Sequence, residues 1–128
     1  MSHFQTPLSQ VRLWGSAREG TSHFIAQRLS AIALVPLLLW FVAAIIFFIV
    51  KADHASLVEW IRLYWNTELL ILLILLTFHH AHAGLQEILV DYVHNEIIKA
   101  IVMTLMKFFV IGITVASVLA VLRIALGG

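Results

Sequence analysis

Three long apolar runs, parted by short polar segments, organise this chain. The first, Ala31 to Val50, contains no charge and lies between Arg28 and Lys51. About 20 apolar residues are enough to cross a bilayer core as a helix. The second run extends from about Leu69 to Val90, and the third from Ile97 to about Leu126. The pattern predicts an all-α integral membrane protein with three transmembrane helices, over about residues 24–50, 67–90 and 97–126. A polar arm over 1–21 precedes them, and residues 1–128 read as a single domain. The first span starts too late and runs too long for a cleaved secretory signal.

Local signals place the ends of these helices. Ser22 is suited to cap a helix beginning near His23, which leaves Pro36 in the helix interior and predicts a mild kink there. Ser56-Leu57-Val58-Glu59 has the form of a capping box. It would open a short amphipathic segment carrying Trp60, Ile61, Tyr64 and Trp65, lying flat in an aromatic interfacial belt. Asp91-Tyr92-Val93-His94-Asn95-Glu96 forms the polar connection between the second and third spans. Lys107 falls within the third span, where its stem can snorkel to the headgroups or its charge can meet an acidic partner group or a lipid phosphate.

Composition narrows the chemistry. The 128 residues are 62% hydrophobic and 12% charged, with a mean hydropathy of +0.99, which a soluble domain of this size cannot accommodate. A net charge of +1 gives no reason to expect a nucleic-acid partner. The absence of cysteine excludes disulfides, thiolate metal sites, covalent haem attachment and iron–sulfur clusters on this chain. Arg12, Arg18 and Arg28 flank the first span, and Lys99 lies on the same side. Lys51, Arg62 and Arg123 lie opposite, so the basic bias favours a cytoplasmic N-terminus and a C-terminus outside.

The polar residues inside the second span carry the most information. In Phe78-His79-His80-Ala81-His82-Ala83-Gly84-Leu85-Gln86-Glu87-Ile88-Leu89-Val90-Asp91-Tyr92, three histidines end an apolar run and two carboxylates and a tyrosine follow. Ionisable groups within a membrane helix are costly and mark functional positions. His80, Gly84, Glu87 and Asp91 fall on one helical face, within roughly 60° of arc. His79 and His82 point away from this stripe, read as lying on opposite sides of it, and are assigned to hydrogen bonds with a neighbouring helix or to a partner subunit. Glu87 reads as paired with an arginine or bonded to water. With no thiolate available, haem b held by the His80 imidazole is the metal centre that suits this face. A second axial histidine must come from elsewhere, such as another subunit. Asp91 and Tyr92 can be a solvated helix end and an interfacial anchor. Alternatively, Tyr92 donates a hydrogen bond to a lipid-soluble carbonyl while Asp91 orients water or the tyrosine.

These residues resemble a known family. His80-x3-Gly84-x6-Asp91-Tyr92 is similar to the signature of the smaller, D-type hydrophobic anchor subunit of succinate dehydrogenase, the respiratory succinate:quinone oxidoreductase. A second similarity runs from Gly15-Ser16-Ala17-Arg18-Glu19-Gly20-Thr21-Ser22-His23-Phe24 to Gln27-Arg28-Leu29-Ser30-Ala31. Length and three spans also agree, and the wording looks most like alphaproteobacterial members. The resemblance implies that His80 is an axial ligand of haem b, shared with a larger C-type cytochrome b anchor. It implies a helical bundle formed with that second anchor, and Tyr92 and Asp91 at a ubiquinone site. Arg28 and His23 would lie near a haem propionate. An iron–sulfur subunit and a flavoprotein subunit would complete the enzyme in the bacterial inner membrane, with the C-terminus periplasmic. This chain would be a subunit of an enzyme that reduces quinone with electrons from succinate, with no catalytic residue on this chain alone. The competing readings are a haem b anchor of another respiratory oxidoreductase and a non-redox scaffold or assembly protein.

Overall fold

The computed structural model describes residues 16–128, with side chains from Thr21 onward. The described residues form α-helices and one short 3-10 turn, with no strand among them. Helix α1 spans Ser16–Phe47 and is followed by the 3-10 turn Ile49–Lys51. A short helix α2 covers His54–Arg62, α3 covers Tyr64–Tyr92 and α4 covers Glu96–Ala125. Three segments, Thr21–Lys51, Tyr64–Tyr92 and Glu96–Ala125, are long and apolar enough to cross a membrane.

Several helix ends differ from the sequence-based expectation. Helix α1 is already under way at Ser16, so Ser22 lies in its interior and does not cap its start. The run Ser16-Ala17-Arg18-Glu19 has the Ser-x-x-Glu spacing of a helix start, although Gly20, Thr21 and Ser22 behind it are weak helix formers. Arg12 and Gly15 lie outside the described residues, as does the side chain of Arg18. The helix continues past Pro36, which withholds one N–H from the ladder. In α2 the cap is Asp53, whose carboxylate accepts from the Ser56 N–H at 3.0 Å. Ser56 is therefore the third residue of the helix and not its cap, because an Asx residue three positions earlier takes that role. Tyr64 and Trp65 also belong to α3, since the chain turns at Leu63 (ψ 126°) between Arg62 and Tyr64.

The exposed ends of the short helix are closed by side chains. Asn66 donates to the Trp60 carbonyl at 2.8 Å and Thr67 to the Ile61 carbonyl, so α3 supplies partners for the unpaired carbonyls that end α2. Arg62 donates from Nε at 3.0 Å to the Ile124 carbonyl near the end of α4, which also accepts from the Gly127 N–H. Trp60 stacks on both Trp40 and Phe48, pinning α2 against the end of α1. At the opposite end, Asn95 accepts from the N–H groups of Ile97 and Ile98 and starts α4 after a connection of only Val93, His94 and Asn95.

Helix α3 is the centre of the arrangement, packed against α1 on one side and α4 on the other. The buried core is small and lies between α1 and α3. It consists of Leu34, Leu37 and Leu73, with Phe41, Leu69 and Leu76 against them. No residue of α4 is buried. Large apolar side chains such as Leu39, Phe108 and Leu119 face outward, as expected where lipid or other membrane helices take the place of water. The hydroxyl residues of α4 are satisfied locally: Thr104, Thr114 and Ser117 each donate to the carbonyl four residues earlier.

Candidate functional site

Two grooves run along α3, one facing α1 and one facing α4. The periodicity of the helix sorts its polar residues between them. His80 faces α1. Its Nδ1 lies 3.2 Å from the hydroxyl of Ser30, the one buried polar side chain among the described residues. A concavity of about 220 Å³ opens beside it, lined by Phe24, Gln27, Arg28, Ala31 and His80. The Arg28 guanidinium sits 5.1 Å from the centre of the Phe24 ring, a cation–π contact that holds the charge at the mouth of this concavity.

One to three turns further along α3, a larger cleft of about 390 Å³ takes over on the same side. Its walls are His23 and Gln27 from α1 and Ala83, Gln86, Glu87, Val90 and Asp91 from α3. Gln27 lines both spaces and joins them. His80, Glu87 and Asp91 thus share the α1-facing side, as the spacing predicts, and His23 and Arg28 stand across from them. Gly84 lies between, and a Cβ built there meets nothing within 4 Å, so space is open on this face one turn from His80.

Tyr92 parts company with its neighbour. It is 78% exposed and does not line the cleft to which Asp91 contributes. Successive residues on a helix diverge by 100°, which puts Asp91 on the cleft side and Tyr92 away from it, both exposed.

The other groove has about 280 Å³ between α3 and α4. Leu75, His79 and His82 line it from α3, and Lys107, Val110, Ile111, Thr114 and Val115 from α4. His79 and His82 therefore lie on the same side of the stripe and not on opposite sides. Residues three apart are about 60° apart around a helix and share a face. Lys107 is 11 residues from the start of α4 and lines this groove with them. Neither histidine has a hydrogen bond within the described chain.

Ser30, Gln27 and Gln86 were not singled out by spacing. The available signal was that Ser30 is a polar residue at the head of an otherwise apolar run, and Gln27 lies one turn before it. Among the described residues, no three His, Asp or Glu side chains are grouped to hold a metal ion by themselves. A metal bound through His80 would need further donors from outside the described residues or from a cofactor.

Three long apolar helices, with their polar groups gathered into grooves along the central one, define a multi-pass helical membrane protein. Over residues 2–121 the chain matches the model of the succinate dehydrogenase/fumarate reductase transmembrane subunit family, and it belongs to that family. It is also similar to a protein of Rickettsia bellii (strain RML369-C) named as a succinate dehydrogenase hydrophobic membrane anchor subunit. The two are 26% identical over 121 residues, covering 92% of this chain and 94% of the relative. No solved structure matches the chain. A membrane anchor of this family works within a multi-subunit enzyme, so other subunits are its partners.

Proposed function

We propose that this chain is the smaller anchor of a succinate:quinone oxidoreductase, supplying one axial histidine to haem b and part of a ubiquinone site. What supports this most is the side of α3 on which its polar groups lie. His80, Glu87 and Asp91 open on the α1 groove, with the cations and donors of Arg28, His23 and Gln27 opposite.

The residues suit a haem. His80 is half-buried, and its Nδ1 is engaged by Ser30, which leaves Nε2 free to serve as a ligand. Arg28, in the same concavity, offers a forked donor suited to a propionate carboxylate. His23 would serve the same end from the neighbouring cleft. Gly84 keeps the adjacent face clear. Among the described residues the donor set is incomplete, which fits a haem held between two anchors, with the second axial ligand from the larger C-type subunit. When bound, haem b supplies a one-electron redox centre close to the membrane quinone.

The quinone site lies at the end of α3, roughly 16 Å along the helix from His80 at ~1.5 Å per residue. Tyr92, exposed on the outer face, donates its hydroxyl to a quinone carbonyl. Asp91, in the polar cleft behind, holds water that replaces the proton given up as the quinone takes two electrons and two protons. The exposure of Tyr92 means that partner subunits close the pocket. The electrons arrive through an iron–sulfur subunit from a flavoprotein that oxidises succinate. This end faces the cytoplasm of a bacterial inner membrane, and the C-terminus is periplasmic.

The test is co-purification from membranes with subunit identification. The expected result is a complex with a flavoprotein, an iron–sulfur protein and a second anchor, with a low-spin bis-histidine haem spectrum. Purification as a stable lone chain without haem would overturn the reading in favour of a non-redox scaffold.

A further inference from the structure

We infer that Ser30 is a positioning residue for His80, setting its tautomer and the direction in which its free nitrogen points. The inference rests on the haem reading above and deepens it. Ser30 Oγ has one proton. It lies 2.8 Å from the Gln27 carbonyl, three residues back on α1, and donates to it. A carbonyl oxygen can only accept, so the short contact fixes the hydroxyl proton on that side. Toward His80, 3.2 Å away, Ser30 Oγ therefore presents a lone pair. The imidazole must then carry its proton on Nδ1 and donate it to Ser30. Nε2 is left unprotonated, with its lone pair available to a metal.

The anchor is rigid. Ser30 is 5% exposed and sits one turn from Leu34, in the buried core between α1 and α3. The chain Gln27 carbonyl, Ser30 hydroxyl, His80 imidazole thus ties the ring to the neighbouring helix at a fixed angle. Two consequences follow for a metal bound at Nε2. The ring pays no rotational or tautomeric cost on binding. The bond from Nδ1–H also increases the basicity of the ligand, which favours the ferric over the ferrous state. His79 and His82 have no such partner, which distinguishes His80 from its neighbours on grounds independent of spacing.

The test compares Ser30→Thr with Ser30→Val in the assembled complex, since threonine and valine have nearly the same shape and differ in the hydroxyl. Haem content, the rate of haem transfer to apomyoglobin and the haem midpoint potential are measured beside wild type and His80→Ala. Ser30→Thr is expected to match wild type. Ser30→Val is expected to release haem roughly 10–100-fold faster, the range typical for loss of an outer-shell partner, and to shift the midpoint potential upward. If the two variants behave alike, whether both normal or both altered, the hydroxyl is not the cause and the inference fails. His80→Ala separates this from the underlying reading. Loss of haem there, with identical threonine and valine variants, leaves the haem assignment standing and removes only the role of Ser30. Full retention of haem in His80→Ala overturns both. If the valine variant does not assemble, Ser30→Ala against wild type makes the same comparison, with unchanged haem release and potential as the overturning result.

Discussion

The two sides of α3 carry the same residue type to different ends. Facing α1, a single histidine has a buried hydroxyl partner, an arginine nearby and a polar cleft leading to the end of the helix. Facing α4, two histidines and a lysine line a groove among Leu75, Val110, Ile111 and Val115, and neither histidine is held by a hydrogen bond among the described residues. The α1 side is also the one with a packed core, whereas α4 buries no residue. What distinguishes a candidate ligand from a merely polar residue in a membrane helix is thus its support. A hydroxyl contact at Nδ1 and a buried neighbour set His80 apart from His79 and His82.

The largest effect that would break this comparison is on haem. His80→Ala is expected to abolish the haem signal in reduced-minus-oxidised spectra of the complex. His79→Ala and His82→Ala are expected to retain it. Loss of haem in either of the latter, with retention in His80→Ala, would reverse the roles of the two faces.

Next in size is the chemistry at the end of α3. Tyr92→Phe is expected to lower quinone reduction about tenfold or more, while succinate oxidation with an artificial acceptor stays at the wild-type rate. An equal fall in the two assays would remove Tyr92 from the quinone site.

Packing should differ between the faces as well. Leu73→Ala, in the α1–α3 core, is expected to cost about 2 kcal/mol, at the low end for a buried leucine because lipid is nearly as apolar as the interior. Leu119→Ala on exposed α4 is expected to stay within about 0.5 kcal/mol. Thermal unfolding of the complex measures both, and comparable losses would place a partner helix against α4.

Smaller effects belong to the helix ends. Asn95→Ala removes the acceptor for two N–H groups at the start of α4 and is expected to cost about 1 kcal/mol in the same assay. The smallest concerns Asp53, whose carboxyl is held below the ordinary carboxylate range by its hydrogen bonds from Ser56. A depressed folded-state value means that its stabilisation is present above the unfolded value and lost as pH falls through the folded one. Proteolysis around α2 should therefore increase only below about pH 4, and Asp53→Ala should remove that dependence.

Much of this molecule was legible in the chain. Apolar run length predicts three membrane helices because a bilayer core imposes a fixed span. Helical period alone puts His80, Glu87 and Asp91 on one face, since side-chain direction follows residue number within a single helix. The same arithmetic, followed through, also places His79 and His82 together. Helix ends were less legible, because more than one residue near each start has the chemistry of a cap. Asp53 prevails over Ser56 as the cap of α2, and α1 begins upstream of Ser22.

Sequence by itself determined what this protein is built from: three apolar helices and a polar stripe on the second. Family membership, carried by residues 2–121, is likewise a property of the chain. Only the tertiary structure decided which helix each face meets. Ser30 and His80 are 50 residues apart, and no local period relates them. Nor does local spacing bring Lys107 beside His79 and His82, or Arg62 to the Ile124 carbonyl. These contacts depend on how the helices dock against one another, which is set by side-chain packing between them and, for the buried Ser30, by a polar group that needs a partner.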